Sequence, residues 1–376
     1  MLPDDQIAIR EMARGFAADR IAPRALDWDA DKHFPVDVLR EAGDLGMGGI
    51  YVREEHGGSG LTRLDATLIF EALATGCPTV SAFLSIHNMA AWMIDRFGSE
   101  AQRARWLPDL CRARSLAAYC LTEPGSGSDA AALRTSARRD GDDYVLNGSK
   151  QFISGAGAVD LYVAMVRTGE PGPRGISTLV VPADAPGLSF GPNERKMGWN
   201  AQPTRPVIFE ECRVPVGNRL GEEGIGFRIA MAGLDGGRLN IGACSLGGAQ
   251  SALDKALAYT RERRAFGKRL DAFQALQFRL ADMATELEAA RLMIYAAAAS
   301  LDRKEPDATQ RAAMAKRFAT DIGFKVANEA LQLHGGYGYL AEYGIEKIVR
   351  DLRVHQILEG TNEIMRLIVA RGLVQP

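Results

Sequence analysis

The chain has 376 residues, enough for a large core and for more than one domain. Hydrophobic residues make up 47% and charged residues 24%, and the formal net charge is -2, so neither nucleic acid nor an anionic membrane surface is favoured as a partner. The five cysteines, at 77, 111, 120, 212 and 244, make no C-x-x-C pair and no cysteine–histidine spacing, which argues against a metal site or a disulfide framework and fits a reducing compartment.

The layout reads as helical, then β, then helical: an α+β multidomain chain. Residues 1–114 read as an N-terminal α-helical domain. Its opening run, MLPDDQIAIREMARGF, acquires acids at once, unlike a signal or transit peptide. From Asp4 to Trp28 the apolar residues Ile7, Ile9, Met12, Phe16 and Ile21 recur at helical spacing. Phe34-Pro35 breaks the pattern, Val36 to Leu45 resumes it, and Gly57-Gly58-Ser59-Gly60 is a loop. Helical patterns return from Leu64 and again from Ala90 to Leu110. No charge stands between Ala72 and Ile94, a stretch long enough to cross a bilayer. Gly76, Pro78, His87 and Asn88 argue instead for a buried helical hairpin broken at Cys77-Pro78.

Residues 115–220 read as a middle β-barrel-like domain. The short runs AAYCLT, DYVLNGSKQFIS, LYVAMVR, ISTLVVP and VIFEECRV are its strands, and Asn147-Gly148 is a type I′ hairpin signal. Residues 221–376 read as a C-terminal long-helix, four-helix-bundle domain, carried by SALDKALAYTRERRAF, FRLADMATELEAARLMIYAAAASL and AMAKRFATDIGFKVANEALQL.

Four segments could carry chemistry. Tyr119 to Asp129 runs from a strand into a Gly/Ser loop that could cradle an anion, although such a loop is more often a plain turn. Phe152-Ile153-Ser154 could stack on and donate to a flat ring, or be a core aromatic beside a surface hydroxyl. Gln332 to Gly336 ends a helical run in a glycine cap that would admit a cofactor, and His334 reads as a structural histidine. Glu359 sits between apolar Leu358 and Gly360, with Thr361 or Asn362 as N-cap of the last helix and Glu363 in its first turn. Apolar surroundings would raise its pKa towards that of a working base, while an exposed junction carboxylate fits the spacing equally well.

Taken together, and in this order, YCLTEPGSGSD, FISGAG, LQLHGGYGY and ILEGTNEIMR resemble the acyl-CoA dehydrogenase family over nearly the whole chain. The segments GWNAQPTR, LADMAT and VRDLRVHQILEGTNEIMR, with Phe152 where many relatives carry tryptophan, look closest to its isobutyryl-CoA branch. The resemblance implies FAD held by Tyr119, Cys120, Leu121, Thr122, Gly127, Ser128, Phe152, Ile153 and Ser154. From a neighbouring subunit it implies Arg263, Phe273, Gln274, Gln332, Leu333, His334, Gly335 and Gly336, with Thr361, Asn362 and Glu363 at the adenine-nucleotide end. Substrate would meet Ser128, Asp235, Gly236, Gly237, Arg238 and Arg371. The family's catalytic glutamate stands at the position of Glu359 or of Gly237, and glycine cannot serve, so Glu359 is the expected base.

The implied reaction is α,β-dehydrogenation of a short branched acyl-CoA, isobutyryl-CoA to methacrylyl-CoA in valine breakdown, with 2-methylbutyryl-CoA or butyryl-CoA as alternatives. Electrons would pass to electron-transfer flavoprotein. A homotetramer is implied, in a bacterial cytoplasm or a mitochondrial matrix. A non-catalytic helical binding protein that kept the fold is the reading of a different class.

Overall fold

The computed structural model describes residues 2–374. The N-terminal third is helical, as its periodicity requires: α1 (Asp4–Phe16), α2 (Ala25–Asp31), α3 (Val36–Asp44), α4 (Arg63–Gly76), α5 (Pro78–Phe97) and α6 (Glu100–Cys111). The expected run from Asp4 to Trp28 is not one regular helix. A π turn at Ala17–Ile21 and a 3-10 turn at Ala22–Arg24 join α1 to α2, because Pro23 cannot donate into an α-helical ladder. The uncharged stretch is the expected buried pair: α4 ends at Gly76, Cys77 is extended, and Pro78 opens α5. No helix among the described residues is long and apolar enough to cross a membrane.

The middle third holds β1 (Ala117–Cys120), β2 (Ser136–Asp140), β3 (Asp143–Ser154), β4 (Leu161–Arg167), β5 (Ile176–Pro182), β6 (Leu188–Phe190), β7 (Thr204–Pro215) and β8 (Arg219–Leu220). They form one sheet in the order β6-β7-β3-β2-β4-β5-β8, with β1 pairing β4. Along one edge of β4, β1 covers Leu161 to Ala164 and β2 takes over at Arg167. No ladder among the described residues joins β6 to β8, so the barrel-like domain is an open sheet that forks at β4. The hairpin expected at Asn147-Gly148 lies elsewhere. Asp140 pairs with Asp143, so the turn is Gly141-Asp142. Asn147-Gly148 sits mid-strand at a bulge, where the β3–β7 register shifts between Leu146 and Gly148. Gly148 takes φ +138 there, so its freedom is used for a bulge rather than a turn.

Three long helices follow, α7 (Gly226–Glu262), α8 (Gln274–Asp302) and α9 (Ala308–His334), then short α10 (Ile345–Arg353) and α11 (Asn362–Val374). The segment RRAF, read as the end of a helix, leaves α7 at Glu262. Arg264–Ala265 (β9) instead pairs with Lys268–Arg269 (β10) around Phe266 and Gly267, both at positive φ. The bundle has its own core, including Leu246, Leu287, Ile294 and Val326. A separate core fuses the N-terminal helices with the sheet, from Phe16 and Phe70 to Tyr162 and Phe209.

Candidate active site

A buried ion pair pins the root of the Gly/Ser loop. Lys150, with no exposed surface, donates to Glu123 Oε1 at 2.8 Å and to the Leu121 carbonyl at 3.2 Å. The Glu123 carboxylate also accepts from the backbone N–H groups of Arg134 (2.6 Å) and Thr135 (2.9 Å). Gln151 N–H donates to Thr122 O at 2.8 Å, fastening β3 to the loop. Cys120 and Leu121 are buried, whereas Gly127 and Ser128 at the tip are exposed. Next to this loop, β3 bulges between Lys150 and Ile153. Phe152 stands on that bulge at φ +59 with 63% of its surface exposed, while Ile153 beside it is 3% exposed. Left-handed backbone under a bulky aromatic is strained, and an exposed ring held that way is a platform rather than a core residue. Ser154 is half-buried at the end of β3.

The second centre is Glu359. It lies at φ +56, followed by Gly360 at φ +87, between a 3-10 turn at Val354–Gln356 and α11. The turn swings the side chain inward. The residue as a whole is partly exposed, yet Oε2 is sealed from solvent and has no hydrogen-bond partner among the described residues. A Cβ placed on Gly237 would collide with that oxygen, so Gly237 is the floor on which the carboxylate rests. Burial pushes the Glu359 carboxyl up to about 7, against Arg238 and Lys316, which favour its charged form. Two buried phenols, Tyr51 and Tyr119, feel its charge, and the Tyr119 hydroxyl is also without a partner. Arg238 donates to Asp235 at 2.5 Å and keeps a buried, unpaired Nε, and Asp235 accepts from Thr309 at 2.8 Å. The Arg63 guanidinium fills the space that a Cβ on Gly236 would need and stacks over the rings of Tyr51 (3.8 Å) and Trp92 (4.8 Å).

A third group lies at the far end of α9. A cavity of about 500 Å³ is lined by Arg263, Leu270, Arg279 and the run Gln332 to Gly336. Gly335 caps α9 at φ +60, ψ -140, a conformation only glycine adopts freely. His334 makes structural contacts within this lining: its Nδ1 bonds the Ala330 carbonyl at 2.7 Å and its ring stacks on Tyr259 at 4.5 Å. Phe273 meets Phe266 edge-on, and Gln274 opens α8, exposed. Thr361 is the N-cap of α11, accepting from Ile364 N–H at 3.3 Å. Asn362 is 3% exposed, and its side chain is spent on Lys316 and Asp321, which leaves only its backbone for a ligand. Glu363 and Arg371 lie on α11, the one largely exposed and the other exposed, away from this cavity's lining.

Family models described as acyl-CoA dehydrogenase N-terminal, middle and C-terminal domains match residues 3–114, 118–212 and 224–374. The chain belongs to the acyl-CoA dehydrogenase family. Over 374 residues it is 57% identical to mitochondrial isobutyryl-CoA dehydrogenase of Bos taurus, covering 100% of this chain and 90% of that one. It superposes on butyryl-CoA dehydrogenase from Megasphaera elsdenii with a TM-score of 0.97 at 38% identity, covering 100% and 99% of the two chains. A chain in a structure described as electron transferring flavoprotein of Acidaminococcus fermentans gives a TM-score of 0.98 at 40% identity, covering 100% and 99%. As a member of this family, the chain is a flavin enzyme acting on the CH–CH bond of acyl-CoA, and its cofactor is FAD. The residues present fit that group: an exposed aromatic platform beside an anchored Gly/Ser loop, and a guanidinium-lined cavity at a glycine-capped helix end.

Sequence reasoning missed three features: the Glu123–Lys150 anchor, the left-handed turn at Glu359, and Lys316 behind it. The first two needed tertiary pairing or backbone angles to be visible. The third could have been noticed as a lysine on the apolar face of α9.

Proposed function

We propose that the chain oxidises a short branched acyl-CoA thioester, isobutyryl-CoA first, with Glu359 as the base that removes the α-proton. One observation carries the base assignment: a sealed carboxylate oxygen with no protein partner, resting on Gly237. A buried charge left unpaired costs stability unless a ligand or reaction uses it. Its raised pKa suits the task, because a base near neutrality is both ionised and strong enough to take a proton.

Bound FAD supplies the acceptor for the β-hydrogen and its two electrons. Tyr119 to Ser128 and Phe152 to Ser154 would hold the flavin ring. Arg263 and Gln332 to Gly336 would hold the diphosphate and adenine portions, reaching from a neighbouring copy. Charge developing on the thioester oxygen would be met by the backbone N–H of Glu359, which donates to no protein acceptor among the described residues. A positioned donor of this kind contributes ~3–4 kcal/mol. Asp235, Gly236, Arg238 and Ser128 would border the coenzyme A path, with Arg371 on its outskirts.

Electrons then leave to electron-transfer flavoprotein, and the likeness to the Acidaminococcus chain supports that partner. The exposed apolar side chains Phe266 (95%), Phe278 (59%) and Leu292 (59%) near and along α8 support assembly of copies into a tetramer. A role in valine breakdown follows from isobutyryl-CoA as substrate, in a bacterial cytoplasm or a mitochondrial matrix.

The test is anaerobic bleaching of the flavin by a panel of short acyl-CoA thioesters. Isobutyryl-CoA should bleach fastest. Faster bleaching by butyryl-CoA or 2-methylbutyryl-CoA would move the enzyme to another branch, and steady peroxide formation in air would argue for an oxidase.

A further inference from the structure

We propose that Lys316 is the positioning residue of the catalytic base: its ammonium fastens the left-handed turn that carries Glu359 and keeps a positive charge beside that carboxylate. The inference rests on Glu359 being the base.

Lys316 lies on α9 with no exposed surface. A lysine is almost never fully buried unless its charge is used. Here it donates to the Gly360 carbonyl at 2.8 Å and to Asn362 Oδ1 at 3.0 Å. Those two acceptors bracket the turn from the C-terminal side of Glu359. Asn362 is itself fixed to α9, since its Nδ2 donates to Asp321 at 2.7 Å. A single side chain from α9 therefore fastens the link between Glu359 and α11. The link needs fastening, because Glu359 at φ +56 is in the left-handed backbone region that disfavours a non-glycine residue. Among the described residues Lys316 forms no ion pair, and of the carboxylates that act on it at longer range Glu359 acts most strongly.

The charged and titratable groups around the base come from several elements. Arg238, paired with Asp235, and Cys244 face it from α7, Tyr119 from β1, and Tyr51 from the segment after α3. Asp321 on α9 and Glu363 on α11 act on Lys316 from the other side, and neutral His355 lies nearby. Burial pushes the Lys316 ammonium down to about 8, so it is still charged at neutral pH. A cation there favours ionised Glu359 and moves the acid limb of catalysis to lower pH.

The experiment is stopped-flow flavin reduction by isobutyryl-CoA or butyryl-CoA, whichever bleaches the wild-type holoenzyme faster, across the neutral pH range. In Lys316→Met the acid limb should move upward by about one pH unit, which is a ~10-fold loss on the rising limb. Lys316→Arg should return the limb to its wild-type position even if the maximal rate is lower. Should Lys316→Met fail to keep FAD, Lys316→Gln retains a donor for the Gly360 carbonyl without the charge, and the same shift is expected. A limb that stays in place in both uncharged variants, whatever its height, overturns the proposal, as does an equal shift in Lys316→Arg. Glu359→Gln in the same assay keeps the two readings apart: normal bleaching there would remove the base assignment itself.

Discussion

Two buried polar clusters lie within a few residues of one another along the chain, and they are built to opposite rules. In the first, Asp351 has no exposed surface and every oxygen is used. Its Oδ2 accepts from Lys347 at 2.6 Å and Thr79 at 2.9 Å, and its Oδ1 accepts from Trp199 N–H at 2.7 Å. His355 continues the chain, bonded to Ser245 at 2.6 Å and accepting from the Trp199 indole at 3.3 Å. This cluster joins α10 to α5, to α7 and to the segment before β7, so it welds the three parts of the molecule. In the second cluster Glu359 Oε2, Tyr119 Oη and Arg238 Nε are all buried and, among the described residues, all unpaired. Saturated polar groups make a scaffold. Unsaturated ones at the same depth mark where a ligand is meant to complete the structure.

The contrast makes predictions that separate chemistry from stability. Glu359→Gln should slow anaerobic flavin reduction by ~10²–10⁴-fold. The variant should keep its FAD spectrum and melt no earlier than the parent, because it removes an unpaired charge. In the parent the reduction rate should climb as pH rises through about 7, since only the deprotonated carboxylate accepts a proton.

Asp351→Ala should do the reverse. It strands the Lys347 ammonium, which is 3% exposed, and should cost ~3–5 kcal/mol in urea or thermal unfolding. Surviving folded enzyme should reduce its flavin at a rate near that of the parent. A large loss of rate with unchanged stability would break the distinction between scaffold and site.

Gly237→Ala sharpens it from the substrate side. The atoms nearest the added methyl are the Glu359 carboxyl group and the Met89 sulfur, the ends of two flexible side chains, so the fold should tolerate it. The displaced carboxylate should cost ~10²-fold in flavin reduction, the usual penalty of a base moved by about an ångström.

The effect that is silent at neutral pH concerns acid. Burial holds His355 neutral, down to about 3, so below its ordinary value of 6.5 the unfolded chain binds a proton that the folded chain refuses. Stability should fall as pH drops from 6.5 towards 3, and His355→Gln should flatten that slope by up to about 1.4 kcal/mol per pH unit. Glu359 acts with the opposite sign. Between 4.5 and about 7 the folded chain keeps a proton that the unfolded chain has released, so acidification over that range relieves the site. Chemical denaturation at a series of pH values for both variants reads the two contributions.

The order of helices and strands was legible because periodicity and proline placement are local signals. Pro78 opening α5 and the glycine cap at Gly335 followed from backbone chemistry alone. The misread turn at Asn147-Gly148 has a physical cause: the same positive φ that suits a type I′ turn also suits a bulge, and only the pairing of β3 with β7 chooses between them. RRAF failed for a related reason, since its helical composition yields to a two-residue turn at Phe266-Gly267.

At the active centre, residue types alone left Glu359 evenly balanced between a base and an exposed junction carboxylate, and only the family resemblance set its position against that of Gly237 as rivals for one role. Folding revealed them as partners, the glycine making room for the glutamate's carboxylate. A sequence can specify which atoms are available, because side-chain chemistry is local. Whether a carboxylate is enclosed, unpaired and shifted towards neutrality depends on which distant segments close around it. For Glu359 those segments are α5, α7 and α9, brought together only by the packed core.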